Sequence, residues 1–425
     1  MNNKTLLANG VRVVTTAMPH TRSASLLIFF KVGARYEAQP QSGISHYIEH
    51  MLFKGTHKRP TPQEISEAIE GLGGSLNALT DREYTSYSAV VPSQHFGLAL
   101  DVLTDMITNS HFDPAEVERE RSVIIEEING TLDSPPDLVT EAIEALVWGD
   151  QPLGRPVAGT RETVSAISRA DMQTYLADHY LPHGTVVSVA GNVEHEAVVA
   201  AVQACLGTRH DPRPPPAYAP ARSDQTAARV LLVPKDTEQT QLCLGVPALP
   251  YTDPDRYVQI LLDSILGGGM SSRLFVEIRE KRALAYTVAS YLETLHDVGD
   301  LVVYAAVDNE QPANCLEGVL HELDRLRQSP VPPAELQKVK EYNKGGLLLS
   351  LESSMSVASR AGRQELLIDR MIDIDEVIAG IDAVSVGQVQ DLAGRLFQAD
   401  RLNLSLVGPF EEEEAAEFQQ LLTLA

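Results

Sequence analysis

Cysteine is scarce in these 425 residues: Cys205, Cys243 and Cys315 stand far apart and form no C-x-x-C pair. That excludes a disulfide framework and a thiolate metal site, and a reducing compartment is expected. Cations are outnumbered, with 34 Lys and Arg against 58 Asp and Glu and a net charge of −24. Such a surface argues against nucleic acid as a partner, because phosphate backbones are held by positive patches. Long apolar runs are missing too. Leu26-Leu27-Ile28-Phe29-Phe30 is far too short to cross a membrane and reads as a buried strand. The first ten residues lack the apolar core of a signal peptide, so a soluble, cytoplasmic protein with no membrane partner is expected.

What is present is an ordinary globular composition, 44% hydrophobic and 22% charged, in a chain long enough for two or three domains. Strands are expected at 10–16, 25–32, 75–78, 84–91 and 185–191, and again at 229–233, 241–246 and 402–408. Between them, helices are expected from about Gly43, after Thr61-Pro62-Gln63-Glu64, over 96–103 and after Asp113-Pro114-Ala115-Glu116. Others follow over 137–147, from Ser168 and over 195–206. The proline-rich stretch 209–224 reads as an extended interdomain linker. Beyond it the pattern repeats about 220 residues on, Pro332-Pro333-Ala334-Glu335 echoing Asp113-Pro114-Ala115-Glu116. The expected fold is α+β: two homologous domains, 1–208 and 225–425, each a mainly antiparallel sheet packed with helices.

One stretch carries chemistry, His46-Tyr47-Ile48-Glu49-His50. On a helix His50 lies about 40° from His46, with Glu49 about 60° to the other side. Ile44, Ile48, Met51 and Leu52 fall opposite and can anchor the helix in a core. Histidines at i and i+4 can share one metal ion, and a carboxylate beside them can act as a base. The order His-x-x-Glu-His is that of the inverzincins. The bland alternative is a solvated helix face. A catalytic zinc takes three protein ligands, and Glu127, on the capped helix seven residues after Glu120, is the best third. Val123 and Ile124 flank that face, so it borders a core. Glu126 points about 100° away and reads as a solvent-facing charge, although spacing alone leaves the two open to exchange. The second half has Leu261-Leu262-Asp263-Ser264-Ile265-Leu266 where the first has its histidines, and Gly346 opposite Glu127. Metal chemistry therefore belongs to the first half.

These residues resemble the pitrilysin–insulysin family of inverzincin metallopeptidases, close to its mitochondrial-processing-peptidase-like bacterial branch. Glu127 stands 77 residues beyond His50, as in that family, and Gly73-Gly74-Ser75-Leu76-Asn77-Ala78 and Pro152-Leu153-Gly154 match as well. The resemblance implies one Zn2+ per chain on His46, His50 and Glu127, with Glu49 as general base and Glu120 supporting the site. It implies that Arg279 and Tyr286 hold substrate and stabilise the tetrahedral intermediate. It also implies that the strand with Asn77 and Ala78 is an edge that binds peptide by β-augmentation. Read without it, Arg279 is a surface arginine, Tyr286 a buried structural tyrosine and 75–78 an ordinary strand. The activity implied is that of a zinc endopeptidase cleaving peptides or unfolded polypeptide in a closed chamber, as a homodimer. The rival is a non-catalytic assembly subunit, as in respiratory complexes; such subunits usually lack ligands that this chain retains.

Overall fold

In the computed structural model, which describes residues 2–424, the strands form two sheets of matching order. The first contains β1 (Asn2–Leu6), β2 (Arg12–Ala17), β3 (Ser23–Phe30), β4 (Ser75–Thr80), β5 (Thr85–Pro92) and β6 (Thr185–Gly191). Their order is β1-β2-β6-β3-β5-β4, with only β2–β6 parallel. The second contains β7 (Arg229–Pro234), β8 (Thr240–Ala248), β9 (Ala285–Thr294), β10 (Gly299–Val307) and β11 (Asn403–Gly408). It runs β7-β11-β8-β10-β9, with only β7–β11 parallel. Without β1 the sheets are the same strand for strand, β2 to β6 answering β7 to β11. The fold is the mainly antiparallel, duplicated α+β arrangement expected. β1, β9 and β10 lie outside the strands read from the sequence; β1 is polar and almost wholly exposed, so its residues carry no burial pattern.

Five helices matter to the site: α1 (Ile44–Leu52), α2 (Pro62–Glu70), α3 (Phe96–Asn109), α4 (Pro114–Asp133) and α5 (Pro135–Trp148). α2 has the reciprocal Thr61–Glu64 capping box, and Asp113 Oδ1 accepts the Ala115 N–H at 2.8 Å to start α4. One face of the first sheet, with Leu26, Ile28, Phe30, Tyr87 and Ala89, is buried beneath Ile44, Ile48 and Met51 of α1 and residues of α3. Each of the Leu, Ile, Phe and Met side chains among them contributes about 1.5–3 kcal/mol by leaving water.

The chain forms two compact units that do not follow the boundary at the proline-rich stretch. The first takes residues up to Ile128, Arg155–Ala219 and Leu348–Ile372; the second takes Asn129–Gly154, Pro220–Leu347 and Asp373 onward. β3 is buried at seven of its eight positions, so both faces of its sheet need cover. The second face is covered by the helix Ser354–Ile368, whose Ala358, Ala361 and Leu366 meet Val14, Leu27, Phe29 and Val186. A Cβ on Gly362 would lie 2.3 Å from the Phe29 ring, so glycine sets how closely that helix approaches. In the second unit α5 does the same, packing Val139, Ile143 and Val147 on Cys243, Val302 and Val407. The contiguous blocks 1–208 and 225–425 therefore differ from the compact units by an exchange of helices: α5 belongs to the second unit and Ser354–Ile368 to the first. The first unit also holds the proline-rich stretch to Ala219. There the Tyr218 hydroxyl donates to Glu83 at 2.7 Å, and the Arg35 guanidinium lies 3.8 Å over its ring.

Candidate metal centre

α1 is held at both ends and along one side. Ile44, Tyr47, Ile48, Met51 and Leu52 are completely buried. The Tyr47 hydroxyl donates to the Val117 carbonyl of α4 at 2.5 Å, which fixes the spacing of the two helices. At its N-terminus Gly43 has φ +94 and offers no side-chain cap. Glu37 takes that role from outside the helix, accepting the Gly43 and Ser45 N–H groups at 2.8 Å each. Burial pushes the Glu37 carboxyl up to about 7, against those hydrogen bonds and the nearby Arg155.

The imidazoles project from the anchored helix as a pair, ring centroids 4.6 Å apart. Glu127 Oε2 lies 3.9 Å from His46 Nε2 and 3.6 Å from His50 Nε2. One ligand atom from each of the three residues falls within 4.8 Å of the others, and this is the one such group among the described residues. Those separations are long for hydrogen bonds. They suit donors sharing one ion, since two ligands about 2.1 Å from a tetrahedral zinc lie roughly 3.4 Å apart. Burial, and next the neighbouring His50, push His46 down to about 4, leaving a neutral ring with a lone pair at pH 7. His46 Nδ1 is buried with no hydrogen-bond partner among the described residues. The donor set fits zinc: two imidazole nitrogens and a carboxylate, with room for a fourth position.

His50 is oriented from behind. Its Nδ1 lies 3.0 Å from Glu120 Oε2, and Lys54 Nζ is 2.7 Å from the other Glu120 oxygen. A carboxylate on the far nitrogen selects the tautomer that leaves Nε2 free, the usual support for a metal-bound histidine. Burial opposes charge on His50, but Glu120, Glu127 and Glu49 together outweigh it and raise its pKa. The pKa of Glu120 is lowered, its burial outweighed by the His50 and Lys54 bonds. Glu49 stands beside the ligands. Burial raises its pKa, and its Oε2 accepts the Thr80 hydroxyl at 2.5 Å.

Of the two adjacent glutamates on α4, Glu127 is the one brought to the imidazoles. Val123, expected at the core border, is 41% exposed, whereas Ile124 is fully buried. β4 is the last strand of its sheet, with Asn77 and Leu79 exposed. The Ala78 N–H is met by Asn77 Oδ1 at 2.9 Å, so it points along the free side of the strand. In the second unit, Arg279 Nη1 donates to the Tyr286 carbonyl at 2.9 Å, and its guanidinium lies 4.3 Å over the Tyr286 ring. Tyr286 is 74% exposed, which removes the reading of a buried structural tyrosine. Arg279 sits on a π-helical turn, Phe275–Lys281, a winding often found at functional positions. Thr80 and Glu37 had no motif to mark them, and Lys54 lay in the family-like stretch 50–56 without a role; only proximity in space reveals what they do.

Residues 12–161 match the insulinase family, peptidase family M16, and residues 166–343 match the peptidase M16 inactive domain. The chain is 39% identical over 418 residues to an uncharacterised zinc protease of Streptomyces coelicolor, covering 97% of this chain and 91% of that protein. It is 37% identical over 408 residues to one of Bacillus subtilis, covering 94% and 97%. Among solved structures, a protease from Helicobacter pylori shares the fold with a TM-score of 0.91 at 22% identity, covering 96% of this chain and 99% of that one.

Proposed function

This chain belongs to the insulinase family of zinc proteases, and from that premise we propose that it is an endopeptidase cleaving peptides or unfolded polypeptide at His46, His50 and Glu127. The observation that carries the reading is the convergence of these three groups beside a partly buried carboxylate, Glu49. His46, His50 and Glu127 would hold one Zn2+ per chain, which when bound would supply Lewis acidity for a scissile carbonyl and for the activation of water. Glu49 accepts the proton of the attacking water and passes it to the leaving amine, a task suited to a carboxylate with a raised pKa. Glu120 keeps His50 in its ligand tautomer. The free edge of β4 at Asn77 and Ala78 aligns the substrate backbone as an added strand. Arg279 and Tyr286 hold the substrate and the oxygen on which charge develops, the roles the family resemblance gives them.

Enclosure of substrate in a chamber, and pairing of two copies as a homodimer, complete the proposal; a native mass of one chain with full activity would remove the pairing. A cytoplasmic location accords with three free cysteines, and no helix among the described residues is long and apolar enough to cross a membrane. The decisive test is digestion of an unstructured peptide library by wild type and Glu49→Gln, with and without chelator. Cleavage by wild type alone is expected, lost with chelator and recovered with zinc. Equal cleavage by Glu49→Gln overturns the mechanism, and a chain with no cleavage in any arm is the non-catalytic subunit.

A further inference from the structure

The Thr80 hydroxyl, with a weaker contribution from the Thr80 backbone N–H, joins the acid of α1 to the free edge of the first sheet. Thr80 is the last residue of β4, 8% exposed, and its hydroxyl meets Glu49 Oε2 at 2.5 Å. The second unit builds the same link without histidines. Its helix Arg256–Leu266 stands where α1 stands, and both end three residues after an acid, Asp263 in place of Glu49. Aligned on that acid, the two helices bury the same positions except one: His50 is half-buried where Ser264 is buried. Ile260 then takes the place of His46, and Ser264 that of His50. Ser290, on the edge strand β9, donates to Asp263 Oδ1 at 2.5 Å, as Thr80 does to Glu49, but from a strand position two residues away: Ser290 pairs with Val303 as Ala78 pairs with Tyr87. Ser264 accepts from Asn343 at 2.9 Å on the helix Pro333–Ser350, which answers α4, although Asn343 stands opposite Ile124 and not Glu120. The acid–hydroxyl link thus belongs to the duplicated fold and occurs with and without the metal ligands. In the first unit alone it falls on the base.

We propose that Thr80 is a positioning residue for peptide hydrolysis, which rests on the reading of Glu49 as base and β4 as the substrate strand. By engaging Oε2, the hydroxyl favours Oε1 as the carboxylate oxygen that takes the proton of the attacking water. From Oε1 that proton passes to the leaving amine. Because Thr80 lies on the strand that pairs with substrate, the bound backbone and the base share one rigid element. A carboxylate without this bond rotates about its last torsion and spends part of its time misaimed.

Thr80→Val keeps the shape and removes the donor; Thr80→Ser keeps the donor. Steady-state kinetics on an unstructured peptide, zinc per chain and thermal midpoint are measured for both, and for Ser290→Ala as the matched change in the second unit. The expected result for Thr80→Val is a kcat lower by about 10–100-fold with zinc still at one per chain. Its KM should stay within about twofold of wild type. Thr80→Ser recovers most of kcat. Ser290→Ala lowers the midpoint by an amount like that of Thr80→Val and leaves kcat unchanged. A wild-type kcat in Thr80→Val, no recovery in Thr80→Ser, or a loss matched by lost zinc overturns the inference. Should Thr80→Val fail to fold, Thr80→Ala is read in the same way. If Glu49→Gln is inactive while Thr80→Val is not, the positioning role alone falls. If Glu49→Gln cleaves like wild type, the base assignment falls first.

Discussion

Three carboxylates surround His50, and their surroundings give each a separate task. Glu120 is 3% exposed, fully engaged by His50 and Lys54, and held below the usual carboxylate range, so it stays charged and orients the ring. Glu127 is half-exposed and lies closest to both Nε2 atoms. Glu49 is the acid whose pKa burial raises. Glu120→Gln keeps the volume but loses the charge, so zinc affinity is expected to fall by about 10–100-fold. Competition with a chromogenic chelator measures it, and an unchanged affinity would deny Glu120 its orienting role. Glu49→Gln is expected to bind zinc like wild type while peptide turnover falls by about 10²–10⁴-fold. Loss of zinc in that variant would make Glu49 structural instead. The His-x-x-Glu-His spacing made one of these tasks, that of Glu49, legible in advance, while that of Glu120 came only with the family resemblance. Glu127 could not be separated from Glu126 by spacing alone, because one step along a helix turns a side chain by about 100° and only the position of α4 against α1 decides which arrives.

At the scale of the element, α1 depends on a cap from outside it. Glu37 is buried and its carboxyl is pushed up to about 7, well above the 4.5 at which it titrates when exposed. A carboxyl held above its unfolded value contributes stability that is fully present below pH 4.5 and is lost as pH rises through about 7. The thermal midpoint of wild type should therefore fall more steeply between pH 5 and 8 than that of Glu37→Gln. Parallel curves would show that Glu37 does not titrate in this range. The edge strand β4 offers a second test at this scale. Ala78 presents its N–H to the open side, so Ala78→Pro removes a donor for an added strand without breaking the β5 ladder. A higher KM for peptide with a midpoint near wild type is expected; an unchanged KM would place substrate elsewhere. The strand itself was legible from its composition, but its place at the end of the sheet was not, since that depends on which strands pair.

At the scale of the whole molecule, each sheet is finished by a helix from the other half of the chain. Residues 1–208 expressed alone lack the helix Ser354–Ile368, leaving Val14, Leu27, Phe29 and Val186 uncovered and Arg12 without the Glu365 carbonyl it meets at 2.8 Å. That fragment is expected to aggregate, and co-expression with residues 209–425 is expected to recover a soluble, zinc-binding complex. A well-folded, zinc-binding fragment 1–208 would show that the covering helix is dispensable.

The sequence by itself determined the α+β class, the duplication, the helix that carries His46, Glu49 and His50, and the loss of ligands from the second half. All of these are local patterns: periodicity sets the element, and spacing along one helix sets which side chains share a face. The tertiary structure decided what depends on contact between distant segments. It brought Glu127 to the imidazoles, set Glu37 under α1 and Thr80 on Glu49, put β4 at a free edge, and matched each sheet with a helix about 200 residues away. Such contacts are fixed by packing across elements, and no run of neighbouring residues records them.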